Sequence, residues 1–191
     1  MAFQFRTIEI SGPLLVEATL HADDRGFLSE IYRVTAFQGR GARCPFAQDN
    51  FSFSRRGVLR GLHYQAPPVV QEKLVRCLSG RIFDVLVDIR PGSATFGRWA
   101  GFELAGDNGL ALYLPEGFAH GFLVLSDTAC VLYKCSREYA PEHDRGIAWN
   151  DPDIGIRWPA AQPVLSQRDR AHPRLRDTGL AGGGPVTGGG T

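Results

Sequence analysis

Apolar and polar residues alternate over short stretches along most of this chain, and turn residues cut those stretches at close intervals. The pattern predicts strands over 5–10, 14–20 and 27–32, with a Ser-Gly-Pro turn between the first two and a polar turn over 21–26. Further strands are expected over 58–65, 73–78, 82–89, 99–104, 110–114, 120–125 and 129–136. Helix is confined to two short pieces, over 34–39 and near 166–170, and the chain after Tyr139 is Pro-rich and loop-like. Many short strands with regular turns and little helix make an all-β sandwich or barrel, and a jelly roll fits the number of strands.

Two stretches carry more than a fold signal. Over 46–54 the even positions are Phe46, Gln48, Asn50, Ser52 and Ser54, while Asp49, Phe51 and Phe53 fall on the other face. An amide-rich face suits the lining of a polar cavity as well as it suits a plain solvated surface. The unit from Gly57 to Lys73 places a cation (Arg60), a proton carrier (His63) and a second cation (Lys73) on one strand–turn–strand. Such a set suits an anionic substrate, a base and a stabilised oxyanion. In a flat strand Arg60 and His63, three apart, point to opposite faces. Either a bulge at Gly61 re-aims the chain or Arg60 reaches round the rim.

Composition narrows the classes. The net charge is +1, so no global field recruits nucleic acid or an acidic membrane. Lys occurs only at Lys73 and Lys134 in a chain that otherwise uses Arg. Cys44, Cys77, Cys130 and Cys135 form no Cys-x-x-Cys pair, and no apolar run reaches membrane-spanning length. A soluble protein of a reducing cytoplasm is expected. The Gly-rich segment 180–191 reads as a disordered tail behind a single domain over 1–179.

Pro115-Glu116-Gly117-Phe118-Ala119-His120 resembles the second motif of the cupins, small jelly-roll barrels (double-stranded β-helices). Many cupins bind a metal through a His-x-His and a Glu in their first motif. Here that region reads His63-Tyr64-Gln65 followed by Lys73, and an ammonium beside two imidazoles makes a poor metal site. The expectation is a cupin barrel with short peripheral helices and no required metal. A closer resemblance runs through Asp24-Arg25-Gly26-Phe27 with Glu30, Gln48-Asp49-Asn50, 57–63, Phe83-Asp84-Val85, Thr95-Phe96-Gly97, 115–122, Tyr133-Lys134 and Trp149-Asn150-Asp151-Pro152. Together these resemble the dTDP-4-dehydrorhamnose 3,5-epimerase family over nearly the whole chain to about Leu175.

The resemblance implies a homodimeric, cofactor-free isomerase acting on dTDP-4-dehydro-6-deoxy-D-glucose. It implies His63 as base, Asp169 as its partner, Lys73 facing the enolate oxygen and Tyr133 as the acid on the opposite face. Arg60 and Arg25 are expected on the diphosphate, and Glu30, Gln48 and Asn50, with Asp49 between them, on nucleotide or sugar. His120 is expected beside the sugar and Tyr139 stacked on thymine. Asp144 and Arg168 stand where relatives often carry Glu and Lys. The N-terminal arm with Arg25 and Glu30 is expected to cross to a neighbouring subunit. Plainer roles stay open at this stage. His120 and Tyr133 could be core residues, Asp84 and Asp88 could pair with a structural cation, and Asp169 could cap the helix after Ser166, although Ser166 is the better cap. Alternative functions are a mono-epimerase at C3 or C5 and a nonenzymatic sugar-nucleotide-binding cupin.

Overall fold

A computed structural model describes residues 2–180. All of the expected tail but Leu180 lies outside the described residues. One antiparallel sheet has the order β1 (Phe3–Thr7), β2 (Leu14–Ala18), β10 (Leu110–Leu114), β7 (Lys73–Ser79), β12 (Thr128–Cys135), β5 (Gln48–Arg55). The facing sheet has the order β13 (Asp144–Gly146), β6 (Leu59–Gln65), β11 (Phe118–Val124), β8 (Arg81–Asp88), β9 (Trp99–Ala105). This is the expected cupin-type jelly roll. Neighbouring strands are mostly far apart in sequence, as in a double-wound sandwich rather than a meander.

Period-2 alternation puts one face of each sheet inside. Val75, Cys77, Leu112, Leu114 and Val131 of the first sheet meet Ile82, Leu86, Phe122 and Val124 of the second in one buried cluster. The outer faces are covered separately. The helix α1 (Val34–Gln38) lays Phe37 against Phe3, Leu74, Ala111 and Tyr113 of the six-stranded sheet. The C-terminal segment lays Ile147, Ile154 and Leu175 over Leu62, Val85 and Ala119 of the five-stranded sheet. It is tied down where Leu59 and Val164 share a backbone hydrogen bond of 3.0 Å.

The structure shifts some expected boundaries. The first strand is β1 (Phe3–Thr7), and the chain bends over 9–12 where 5–10 was expected to run straight. The polar turn over 21–26 is part of a hairpin of β3 (His21–Asp23) and β4 (Gly26–Leu28), so strand 27–32 ends early. Asp23 accepts the Arg25 backbone N–H at 2.9 Å, an Asx turn that lets so short a hairpin close. Strand β13 was not foreseen. Three residues show no periodicity, and only pairing with β6 makes them a strand.

Candidate active site

On three inner-sheet strands the same alternation that builds the core ends in polar residues. On β7 the inward series is Lys73, Val75, Cys77, and on β12 it is Ala129, Val131, Tyr133, Cys135. On β5 it is Gln48, Asn50, Ser52. The apolar members close one end of the barrel and the polar members line the other. Two adjoining cavities result, of about 300 and 270 Å3, and both are walled by His63, Lys73 and Tyr133. The larger also touches Gln48, Asn50, Gln65, Tyr139 and Asp144. The smaller touches Ser52, Arg60, His120, Phe122, Arg168 and Asp169. The polar face of 46–54 is therefore a cavity lining.

A bulge settles how Arg60 and His63 share that space. His63 pairs with His120, but Arg60 pairs with Phe122, so β6 carries two residues, Gly61 and Leu62, where β11 carries Gly121 alone. The extra residue turns Arg60 to the face His63 occupies. Gly61 has φ +127°, and a Cβ there would come within 2.5 Å of the Gly121 Cα, so two glycine backbones are needed to meet.

His63 Nε2 lies 2.6 Å from Asp169 Oδ1. Asp169 sits on α2 (Gln167–Arg170), whose N-cap is Ser166. Ser166 Oγ accepts the Asp169 N–H at 3.0 Å and donates to Asp169 Oδ2 at 2.6 Å. Burial would raise the Asp169 carboxyl, yet hydrogen bonds from His63 and Ser166 outweigh it and hold the pKa at about 2. An ionised carboxylate only accepts, so Nε2 carries the hydrogen, and in the neutral ring Nδ1 has the lone pair. Burial pushes the Lys73 ammonium down, against the pull of Cys135, Asp144 and Asp84. Lys73 makes no hydrogen bond or ion pair with the described residues, and an anion in the cavity would supply one. Burial, and next to it Cys135, pushes the Tyr133 phenol up, with Arg60 opposing, so the group stays protonated and able to donate.

The remaining expected residues divide. Arg60 donates to Ser54 Oγ at 3.0 Å. His120 Nε2 is 2.6 Å from Asp84 Oδ1, a buried pair. At the cavity mouth the Tyr139 hydroxyl donates to Asp144 at 2.8 Å, Arg168 pairs with the same oxygen at 2.6 Å, and Gln48 Oε1 accepts the Tyr139 N–H at 2.7 Å. Asp49 is placed elsewhere. It faces away from both cavities and pairs with Lys134 at 2.6 Å, as its odd position in 46–54 dictates. Arg25, with an 89% exposed side chain, pairs with Asp23 at 2.5 Å, and Glu30 pairs with Arg33 at 3.4 Å. Neither reaches the cavities of its own chain. The wall residues Gln65 and Cys135 were not expected as site residues, and Ser52 only as part of the polar face of 46–54. Each stands two residues from a recognised one on the same strand, a spacing that shares a face.

The family model for dTDP-4-dehydrorhamnose 3,5-epimerase matches residues 7–177. A relative of that name from Methanothermobacter thermautotrophicus is 46% identical over 92% of this chain and 96% of its own length. A crystal structure of dTDP-6-deoxy-D-glucose-3,5-epimerase from Legionella pneumophila in complex with dTDP-4-keto-L-rhamnose is 43% identical, with a TM-score of 0.88 over 91% of this chain and 93% of that one. ChmJ, a 3'-monoepimerase from Streptomyces bikiniensis solved with dTDP-quinovose, is 39% identical with a TM-score of 0.85, over 91% of this chain and 90% of that one. A match of this length, on a barrel with this cavity, means that the chain belongs to the dTDP-4-dehydrorhamnose 3,5-epimerase family.

Proposed function

We propose that this enzyme inverts C3 and C5 of dTDP-4-dehydro-6-deoxy-D-glucose, giving dTDP-4-dehydro-L-rhamnose for dTDP-L-rhamnose synthesis. One observation carries the mechanism. His63 stands on β6 of one sheet and Tyr133 on β12 of the facing sheet, with Lys73 beside them. A sugar ring held between the sheets meets a base on one face and a phenol on the other. His63 Nδ1 takes the proton from a carbon next to the C4 ketone, and the C–H electron pair moves into an enolate whose charge rests on O4. Lys73, unpaired among the described residues, meets that charge, which is larger in the transition state than in the substrate. Tyr133 returns a proton to the same carbon from the opposite face, after which the tyrosinate recovers a proton from solvent and the His63 imidazolium gives one up to it. The steps are proton transfers throughout, each of the kind commonly worth about a hundred- to ten-thousand-fold.

Arg60 holds diphosphate as a guanidinium fork. Gln48, Asn50, Asp144 and Arg168 surround the nucleotide and sugar, Tyr139 lies against thymine, and His120 adjoins the sugar. Arg25 and Glu30 act on a second copy's site in a homodimer. Support for this comes from the projecting β3–β4 hairpin, which leaves Phe27 and Leu28 exposed on its own chain. Free cysteines suit a reducing cytoplasm.

ChmJ supports a second reading, epimerisation at one carbon only, because the same fold serves it. Incubating the enzyme with the ketosugar in D2O separates the two. Deuterium at both C3 and C5 is expected, and uptake confined to one carbon contradicts double epimerisation.

A further inference from the structure

His172, on the loop after α2, stands where the epimerase reading gives it nothing to do. Its ring meets the His63 ring edge-on with centroids 5.4 Å apart. Its side chain is 9% exposed, and its Nε2, 3.7 Å from Asp169 Oδ1, has no hydrogen-bond partner among the described residues. A buried ring nitrogen without a partner is costly unless something else fills the role. His63, Asp169 and His172 together bring three ligand atoms within 4.8 Å of one another. We propose that these three side chains form a binding site for a divalent transition-metal ion of the zinc type, and that the bound ion silences the base.

The donor set and its spacing suit such an ion. Two imidazoles and one carboxylate leave a fourth position for water. Zinc holds nitrogen and oxygen ligands at about 2.0–2.2 Å, so tetrahedral neighbours stand roughly 3.3 Å apart. The 3.7 Å between His172 and Asp169 is close to that. The 2.6 Å between His63 and Asp169 has to open by about 0.7 Å, and the remaining pair, His63 and His172, within 4.8 Å, has to close by up to about 1.5 Å, movements that a turn of the His63 ring on the cavity wall allows.

The surroundings hold the ligands in place. Ser166 Oγ occupies Asp169 Oδ2, which leaves Oδ1 for the ion. Gly146 pairs with His63 on β13, and a Cβ on it would lie 2.3 Å from the His172 ring, so glycine is what lets that ring lie against the strand. A third cavity, of about 460 Å3, reaches His172 past Gly146, Pro173 and Thr178, and neither Lys73 nor Tyr133 lines it. This cavity shares Asp144 and Arg168 with the nucleotide side of the site and gives His172 a solvent approach away from Lys73 and Tyr133.

Binding is a proton exchange. The proton leaves His63 Nε2 and Nδ1 takes one up, both through solvent, so the neutral ring keeps a single N–H and offers the Nε2 lone pair to the metal. No electron changes hands. Asp169 then supports the ion instead of the imidazolium. Nδ1 now carries the ring's hydrogen and has no lone pair to offer, so it stops working as a base.

The inhibitory consequence rests on the proposed epimerase function, while the site rests on geometry alone. The test uses the full chain, first freed of metal with a chelator, then titrated with Co2+ as a spectroscopic probe and with Zn2+ in the solvent-exchange assay. Expected are one ion per chain, tetrahedral Co2+ absorption without a thiolate band, and exchange that falls at least about tenfold with Zn2+ and returns with chelator. His172→Gln and His172→Phe, each compared with its own metal-free rate, should weaken both ions by about tenfold or more, the usual scale for disturbing a metal's immediate support. Octahedral or absent Co2+ bands, a thiolate band from Cys77 or Cys135, or His172 variants that bind as wild type would each overturn the site. Tetrahedral binding without loss of exchange would overturn the inhibition. A metal-free enzyme that exchanges nothing would instead count against the epimerase function, and the Co2+ spectrum would still decide the site.

Discussion

Two histidine–aspartate pairs stand side by side in this barrel with the same 2.6 Å contact, and they do different things. His63 and His120 are cross-strand neighbours. Asp84 reaches His120 from β8, the next strand of the same sheet, and the pair is sealed, with side chains 0% and 8% exposed. Asp169 reaches His63 from a loop-borne helix over a hundred residues away in the chain. The His63 side chain is 31% exposed and lines both cavities. The chemistry of the pair is common to both, so access decides its use. A ring with its second nitrogen in a cavity is a base, and a ring sealed on all sides but one edge braces the wall that the base works against.

The largest effect that separates the pairs should come from Asp169→Asn. The amide's NH2 can meet Nε2 and favour the wrong tautomer, so turnover should fall by about a hundred- to ten-thousand-fold, with a smaller change in substrate affinity. Steady-state rates with the ketosugar measure it, and a loss of under about fivefold would make the two pairs equivalent. Asp84→Ala should do the reverse. It strands a buried histidine and should lower folding stability by ~3–5 kcal/mol in a denaturant titration.

A smaller effect is acid sensitivity. The Asp169 pKa in the fold, about 2, lies below its ordinary 3.8. Its contribution to stability is therefore complete above pH of about 4 and fades as the pH falls toward 2. Asp169→Asn should flatten the stability profile in that window, and an unchanged slope would mean that the carboxylate gains nothing from its partners.

Much of this was legible from residue order. Alternation marked the strands, and the even positions of 46–54 fitted a cavity wall and a plain solvated surface equally until the facing sheet enclosed them. Ser166 was the better helix cap, and the structure gives it that role while Asp169 turns to His63. What stayed hidden depends on contacts between distant segments. The bulge at Gly61 exists only against Gly121, so no count along β6 could choose between a bulge and a long reach by Arg60. Asp49 followed its strand parity outward although its neighbours on both sides belong to the cavity. Arg25 and Glu30 sit on an arm whose proposed use needs a second copy. His172 left no trace in the pattern, because a lone histidine in a Pro-rich loop has no spacing to read.

The central claim is that His63, and not its sealed neighbour, removes the substrate proton. Solvent deuterium uptake by His63→Ala, measured beside its affinity for dTDP, tests this directly. Uptake should disappear, by at least about a hundredfold, while dTDP still binds near the wild-type level, because general-base catalysis is lost and the nucleotide contacts remain. Exchange that persists in His63→Ala with dTDP affinity intact would remove His63 as the base and the comparison with it.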